Sequence, residues 1–112
     1  MSNLVAPIGV YSEGGPQYLP EKKHSTDAGY DVRFYSPVEE VCGLSPGAPK
    51  IIPTGLFFNI PEGWRIDIRS RSGLSAKGII VANAPGTIDA HYTGELKIIL
   101  VNISNDLYLL ED

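Results

Sequence analysis

Residues 69–95, RSRSGLSAKGIIVANAPGTIDAHYTGE, decide how this chain is read. The stretch opens at a turn with two arginines, two serines and Gly73. An apolar, β-branched run over Gly78–Ala82 follows, then Asn83-Ala84-Pro85-Gly86, a strong turn signal. It closes on a segment carrying Asp89, His91 and Tyr92. Turn signals this close together leave room only for short strands, and no part of the stretch sustains a helical period beyond about two turns.

The same punctuation runs through the whole chain, with 12 glycines and 9 prolines among 112 residues. Strands are expected over Leu4–Tyr11, Tyr30–Tyr35, Lys50–Ile52, Gly55–Ile60, Trp64–Ile68, Gly78–Ala82, Thr87–Tyr92 and Glu95–Asn102, from their Val, Ile, Tyr and Phe content and partial alternation. A single short helix is expected over Gly73–Lys77, with Ser72 as its N-cap. The strands flanking Asn83–Gly86 are expected to fold back on each other as a hairpin. These elements make the fold all-β, a sandwich, jelly roll or small barrel. The length allows one domain spanning 1–112. Two apolar stretches, Ile98–Val101 and Leu107–Leu110, lie near the C-terminus. An apolar strand there has an edge that needs cover, from a symmetry partner or from further sequence.

Composition limits the partners. An apolar fraction of 43% fits a folded protein, and the net charge of −4 gives no global attraction to nucleic acid or an anionic membrane. An anionic ligand therefore has to be held by local positive charge. Arg65, Arg69, Arg71 and Lys77 supply it, with Asp67 the single acid among them. No apolar run approaches a membrane span, MSNLVAPIGV lacks the core of a signal peptide, and Cys42 has no partner cysteine. These features lead to an expected cytoplasmic or intracellular home. Asn102-Ile103-Ser104 matches a glycosylation sequon and is read as a chance triplet.

Several residues carry chemistry, each with an ordinary alternative. Arg71-Ser72-Gly73 combines a guanidinium fork, exposed backbone N–H groups and a glycine that permits close approach, all suited to phosphate. The same triplet also serves as a turn with solvated arginines. Asn83 and the neighbouring backbone offer donors and acceptors for the polar edge of a base, or simply close a turn. Asp89, in an otherwise apolar β-branched segment, either faces solvent or sits in a pocket where it accepts a proton from water. Tyr92 offers a flat face to a sugar or base. Asp89 and His91 alternate on one expected strand face, but no serine or cysteine nucleophile accompanies them. With no clustered carboxylates, a metal would be Mg²⁺ arriving with substrate phosphates and keeping its waters. Asp27 and Asp31 are placed to bond such waters or to stabilise their own turn.

Taken together, these pieces resemble the trimeric dUTP diphosphatase (dUTPase) family. Asp27-Ala28-Gly29-Tyr30-Asp31 is similar to its first motif, Arg71-Ser72-Gly73-Leu74 to its second and Gly86-Thr87-Ile88-Asp89-Ala90-His91-Tyr92-Thr93-Gly94-Glu95 to its third, in the family's order. The resemblance spans roughly Tyr18 to Asn102. It implies a jelly-roll-like fold, a homotrimer with sites between subunits, and Mg²⁺-dependent hydrolysis of dUTP to dUMP and pyrophosphate. Asp89 would be the general base, and Tyr92 would pack under the deoxyribose and disfavour a 2′-hydroxyl. Asn83 and the turn backbone would read uracil. Arg71, Ser72 and Gly73 would hold phosphates, with Gly86, Thr87, Ile88 and Lys97 also in the substrate site. Asp31 would face the metal's water shell. No direct nucleic-acid or membrane contact is expected.

The chain departs from the family pattern in two places. His91 stands where a second acid is common, and the fourth motif and Gly-rich C-terminal arm are not in the sequence. A truncated form is therefore expected. Two alternatives follow. One is a dUTPase-like regulatory protein that binds dUTP without turnover. The other is a dCTP deaminase, disfavoured because Ile99 stands where the deaminating Glu would fall and cannot transfer a proton.

Overall fold

The computed structural model describes residues 7–111. Among the described residues are eight strands and one five-residue α-helix: β1 Gly9–Ser12, β2 Val41–Leu44, β3 Lys50–Asn59, β4 Ile66–Ile68, α1 Ser72–Ala76, β5 Ile79–Val81, β6 Gly86–Ile88, β7 Glu95–Asn102 and β8 Tyr108–Glu111. They make an antiparallel four-stranded sheet in the order β1-β3-β7-β5 and two antiparallel pairs, β2-β8 and β4-β6. The architecture is the expected all-β, jelly-roll-like one with a single short helix.

The core lies where the large sheet meets the β2-β8 pair. Phe34, Cys42, Leu44, Ile52 and Ile79 form its buried cluster, with Leu74 of α1 and Leu100, Tyr108 and Leu110 packed against it. Alternation along β2 explains the pairing: Cys42 and Leu44 are buried, while Val41 remains exposed. Through Leu74, α1 is docked on the core with the turn before it held outward.

Strand β3 shows how short-range signals combine. The sequence expects separate strands over Lys50–Ile52 and Gly55–Ile60; Pro53 cannot donate a ladder hydrogen bond, and Gly55 stands at φ 67. One strand runs through instead, with a bulge between Pro53 and Phe57 in its pairing with β7. Side chains carry the junction: Thr54 Oγ1 donates to Leu96 O at 2.6 Å, and Gly55 N donates to Glu95 Oε2 at 3.0 Å.

Several expectations are corrected. Tyr30–Tyr35 forms no strand. Asp31 makes an isolated bridge with Glu21, and Tyr35 N donates to Pro53 O at 3.1 Å, because β1 pairs along the next stretch of β3. The first strand is Gly9–Ser12, and residues 4–6 of the expected Leu4–Tyr11 lie outside those described. Trp64–Ile68 shortens to Ile66–Ile68. Val41–Leu44 and the 3-10 turn Pro16–Tyr18 were not anticipated. Asn83–Gly86 closes no hairpin, since β5 pairs with β7 and β6 with β4. The β5 ladder is prolonged by Ala82 N donating to Ile99 O at 2.8 Å. The turn thus carries the chain from one sheet to another.

The sequon is settled by burial. Asn102 is 0% exposed. Its Nδ2 donates to Leu44 O at 2.9 Å and Asp106 O at 2.7 Å, and its Oδ1 accepts from Ser104 N at 2.9 Å. An amide consumed in this way serves the fold rather than a glycan.

Candidate active site

Arg71 takes the N-cap position of α1, with extended backbone at φ −94 and ψ 138 and no side-chain cap hydrogen bond. Ser72 is therefore the first helical residue rather than the expected cap. The reason is local: Ser75 N donates to Arg71 O at 2.8 Å, so the first helical bond starts one residue earlier than Ser72 would allow. Ser70 does the tethering instead. Its Oγ accepts from Val81 N at 2.9 Å and ties the turn to β5. Sequence reasoning did not single out Ser70; the doubled Arg-Ser repeat was the available signal.

The turn faces a cleft of about 410 Å³. Arg33, Arg69, Ser70 and Arg71 are among its lining residues, together with the acids Asp67 and Glu111 and the apolar Ile79, Val81, Ile98, Leu100 and Leu110. Asp31 meets Arg71 at this edge, with Arg71 Nε 3.5 Å from Asp31 Oδ1. First-motif and second-motif residues are thereby brought together. Asp27 takes its other reading: its Oδ2 accepts from His24 N at 2.9 Å, which stabilises its own turn. Gly73 is informative in another way. It has no positive φ, and a Cβ there would meet no atom within 4 Å. Neither the backbone nor packing within this chain requires a glycine, so the open space above it suits something from outside.

Asp89 lies elsewhere, beside Gly63, Trp64, Arg65 and Ala90 in an open depression of about 550 Å³. Strand β6 ends at Ile88, so Asp89 starts a turn rather than continuing the expected Thr87–Tyr92 strand. Tyr92 N donates to Asp89 O at 3.3 Å, and His91 N donates to Ile60 O at 3.1 Å. His91 adopts φ 67, so Asp89 and His91 do not alternate on one face. Tyr92 is 46% exposed, and its hydroxyl donates to Glu95 O at 3.1 Å. The phenol is anchored while the ring remains accessible.

The remaining expected site residues, Asn83, Gly86, Thr87, Ile88 and Lys97, line neither place. Gly86 sits against Asn83, whose Nδ2 is 3.3 Å from where a Gly86 Cβ would stand. Thr87 Oγ1 donates to Asp67 Oδ1 at 3.3 Å, and Arg65 Nε pairs with the same oxygen at 3.3 Å. Ile88 is half-buried opposite Ile66. Lys97 is exposed on β7 opposite Pro53 and lines neither cleft. No residue lines both the arginine cleft and the Asp89 depression. Among the described residues, no group of three or more His, Cys, Asp or Glu could hold a metal ion, and no helix is long and apolar enough to cross a membrane.

Comparison with known proteins converges on one family. The dUTPase family model matches residues 16–111. The deoxyuridine 5'-triphosphate nucleotidohydrolase of Agrobacterium fabrum is 41% identical over 101 residues, which are 89% of this chain and 65% of that protein. Its counterpart in Chlamydia pneumoniae is 45% identical over 94 residues, covering 83% of this chain and 63% of that protein. A mutant dUTPase from phage phi11 of S. aureus, whose structure is described as revealing the coordination of a structural Mg(II) ion, superposes with a TM-score of 0.72 at 35% identity, over 88% of this chain and 61% of that one. The chain thus spans less than two thirds of the length of these nucleotidohydrolases.

Proposed function

This chain belongs to the dUTPase family, and from that premise we propose that the protein hydrolyses dUTP to dUMP and pyrophosphate. The observation that carries the reading is the Asp89–Tyr92 turn. A carboxylate and an accessible aromatic face leave β6 together, held by the bond from Tyr92 N to Asp89 O.

In the proposed reaction, water attacks the α-phosphorus while the Asp89 carboxylate takes its proton. A new P–O bond forms, the bond from the α-phosphorus to the bridging oxygen breaks, and pyrophosphate leaves with the electron pair. Arg71 and the open backbone around Ser72 and Gly73 bind the phosphate oxygens and offset their charge. Asn83 and the 82–86 turn, with Gly86, Thr87 and Ile88, form the base pocket. Tyr92 lies under the deoxyribose, where a 2′-hydroxyl would crowd the ring. Lys97, which lines neither cleft, enters only if the complete site reaches β7.

The donor set fits Mg²⁺ brought by the nucleotide better than a resident ion, since no group of three or more potential ligands stands among the described residues and Asp31 is paired with Arg71. Asp31 would hydrogen-bond the ion's waters, and the ion would neutralise charge on the phosphates when bound. The separation of the arginine cleft from the Asp89 depression supports an oligomer, a homotrimer by family resemblance, in which one subunit's cradle faces another's Asp89. Residues 1–112 are read as one domain.

The test is pyrophosphate release from dUTP with Mg²⁺ by the full-length protein. Turnover supports the reading. Tight dUTP binding without turnover would assign a nucleotide-binding regulatory role instead.

A further inference from the structure

We propose that Glu95 is a positioning residue for the Tyr92 ring and thereby sets the preference for deoxyribose over ribose; this rests on the reading of Tyr92 as the surface beneath the sugar. Tyr92 lies outside any strand, so its ring is placed by what it touches. Its hydroxyl donates to Glu95 O at 3.1 Å. A Cβ on Gly94 would fall 2.6 Å from Tyr92 Oη and 2.8 Å from Cζ, so the ring lies directly over Gly94. Where the ring stands therefore depends on where the first residue of β7 stands.

That residue begins its strand beside the β3 bulge, where the ladder is interrupted between Pro53 and Phe57. Glu95 spans the gap with its side chain, Oε2 accepting from Gly55 N at 3.0 Å. Gly55 cannot turn this N–H elsewhere. It is buried at φ 67, and the position of its absent Cβ lies 2.6 Å from Tyr35 Cδ2. Its carbonyl is also engaged, accepting from Glu13 N at 2.8 Å. An acceptor at full reach of a fixed, buried N–H that has no other turn available is a firm anchor. Glu95 thus holds the bulge with its carboxylate and the Tyr92 phenol with its carbonyl, which links a packed region to the exposed ring. Glu95 lines neither cleft, so its influence on the ligand runs through Tyr92.

The experiment titrates the full-length protein with dUDP and UDP and follows the ratio of their affinities in Glu95→Ala, Glu95→Asp, Glu95→Gln and Tyr92→Ala. Glu95→Asp keeps the charge but retracts it by one methylene from Gly55 N, whereas Glu95→Gln keeps an acceptor at full reach. The expected result is a ratio lowered about tenfold in Glu95→Ala and Glu95→Asp and restored in Glu95→Gln. A merely structural role would weaken both nucleotides alike and leave the ratio unchanged, which would overturn the proposal. If Tyr92→Ala lowers the ratio while Glu95→Ala and Glu95→Asp do not, the sugar reading stands and the role of Glu95 falls. If Tyr92→Ala leaves the ratio intact, the sugar reading itself is wrong and the proposal falls with it. Should Glu95→Ala not fold, the contrast between Glu95→Asp and Glu95→Gln decides the matter.

Discussion

Arg71 Nε stands 3.5 Å from Asp31 Oδ1, at the mouth of the cleft that Arg33, Arg69 and Ser70 also line. The two residues come from motifs far apart in the chain and meet because Leu74 docks α1 on the core beside the Tyr30–Tyr35 segment. The side chains are 56% and 39% exposed, so solvent screens the pair and side-chain entropy opposes it. Its energetic value for the fold is small. A cation held beside a carboxylate is, however, already oriented for a phosphate and for the waters around Mg²⁺.

Arg71→Ala should therefore separate stability from binding. Denaturant unfolding is expected to change by no more than about 1 kcal/mol. Affinity for a non-hydrolysable dUTP analogue should fall tenfold or more, by an estimate of about 1.5–3 kcal/mol for a lost charge-assisted bond. A large stability loss with unchanged affinity would show that Arg71 serves the fold instead.

Asp89→Asn tests the proton acceptor. The amide keeps the shape and polarity of the side chain but cannot take a proton from water. The catalytic rate should drop by about 10²–10⁴-fold while nucleotide binding stays within a few-fold. Titration of dUTP alongside single-turnover pyrophosphate release distinguishes these effects. Normal turnover would remove Asp89 from the mechanism.

The sequence reveals the site's ingredients more readily than its arrangement, and Asp89 shows why. Its identity follows from its neighbours, but its release from β6 depends on Ile88 pairing with Ile66, a strand on the far side of α1. No local signal records where a ladder ends. The same applies to Asn83: Ala-Pro-Gly marks a turn, yet whether the flanking strands pair with each other is decided by the competing edges of β7 and β4. Strand Glu95–Asn102 was legible in full because it is long, β-branched and central. Val41–Leu44 was not, because its pairing with Tyr108–Glu111 joins the ends of a long detour and its Cys-Gly centre carries little β-propensity.

Asn102 gives a stability prediction independent of the site. Its amide is fully used, and Gly47 N donates to its backbone carbonyl at 2.7 Å. Asn102→Ala would strand Leu44 O and Ser104 N and loosen the turn that delivers β8 to β2. An unfolding free energy lowered by about 2–4 kcal/mol is expected, read by urea titration. Asn102→Asp should also destabilise, because the carboxylate cannot donate to Leu44 O or Asp106 O.

Ser70 supplies the last prediction. Val81 is 8% exposed, and its N–H is satisfied by Ser70 Oγ at 2.9 Å, so one hydroxyl both completes a buried donor and fixes the turn that carries Arg71. Ser70→Ala should cost about 1–3 kcal/mol of stability from the stranded N–H. It should also weaken pyrophosphate binding several-fold, because the arginine turn loses its tie to β5 while every arginine remains in place. Ser70→Thr retains the hydroxyl and should recover both properties. If Ser70→Ala loses stability but binds pyrophosphate as the parent does, the docking of Leu74 alone holds the turn, and Ser70 acts only on the backbone of β5.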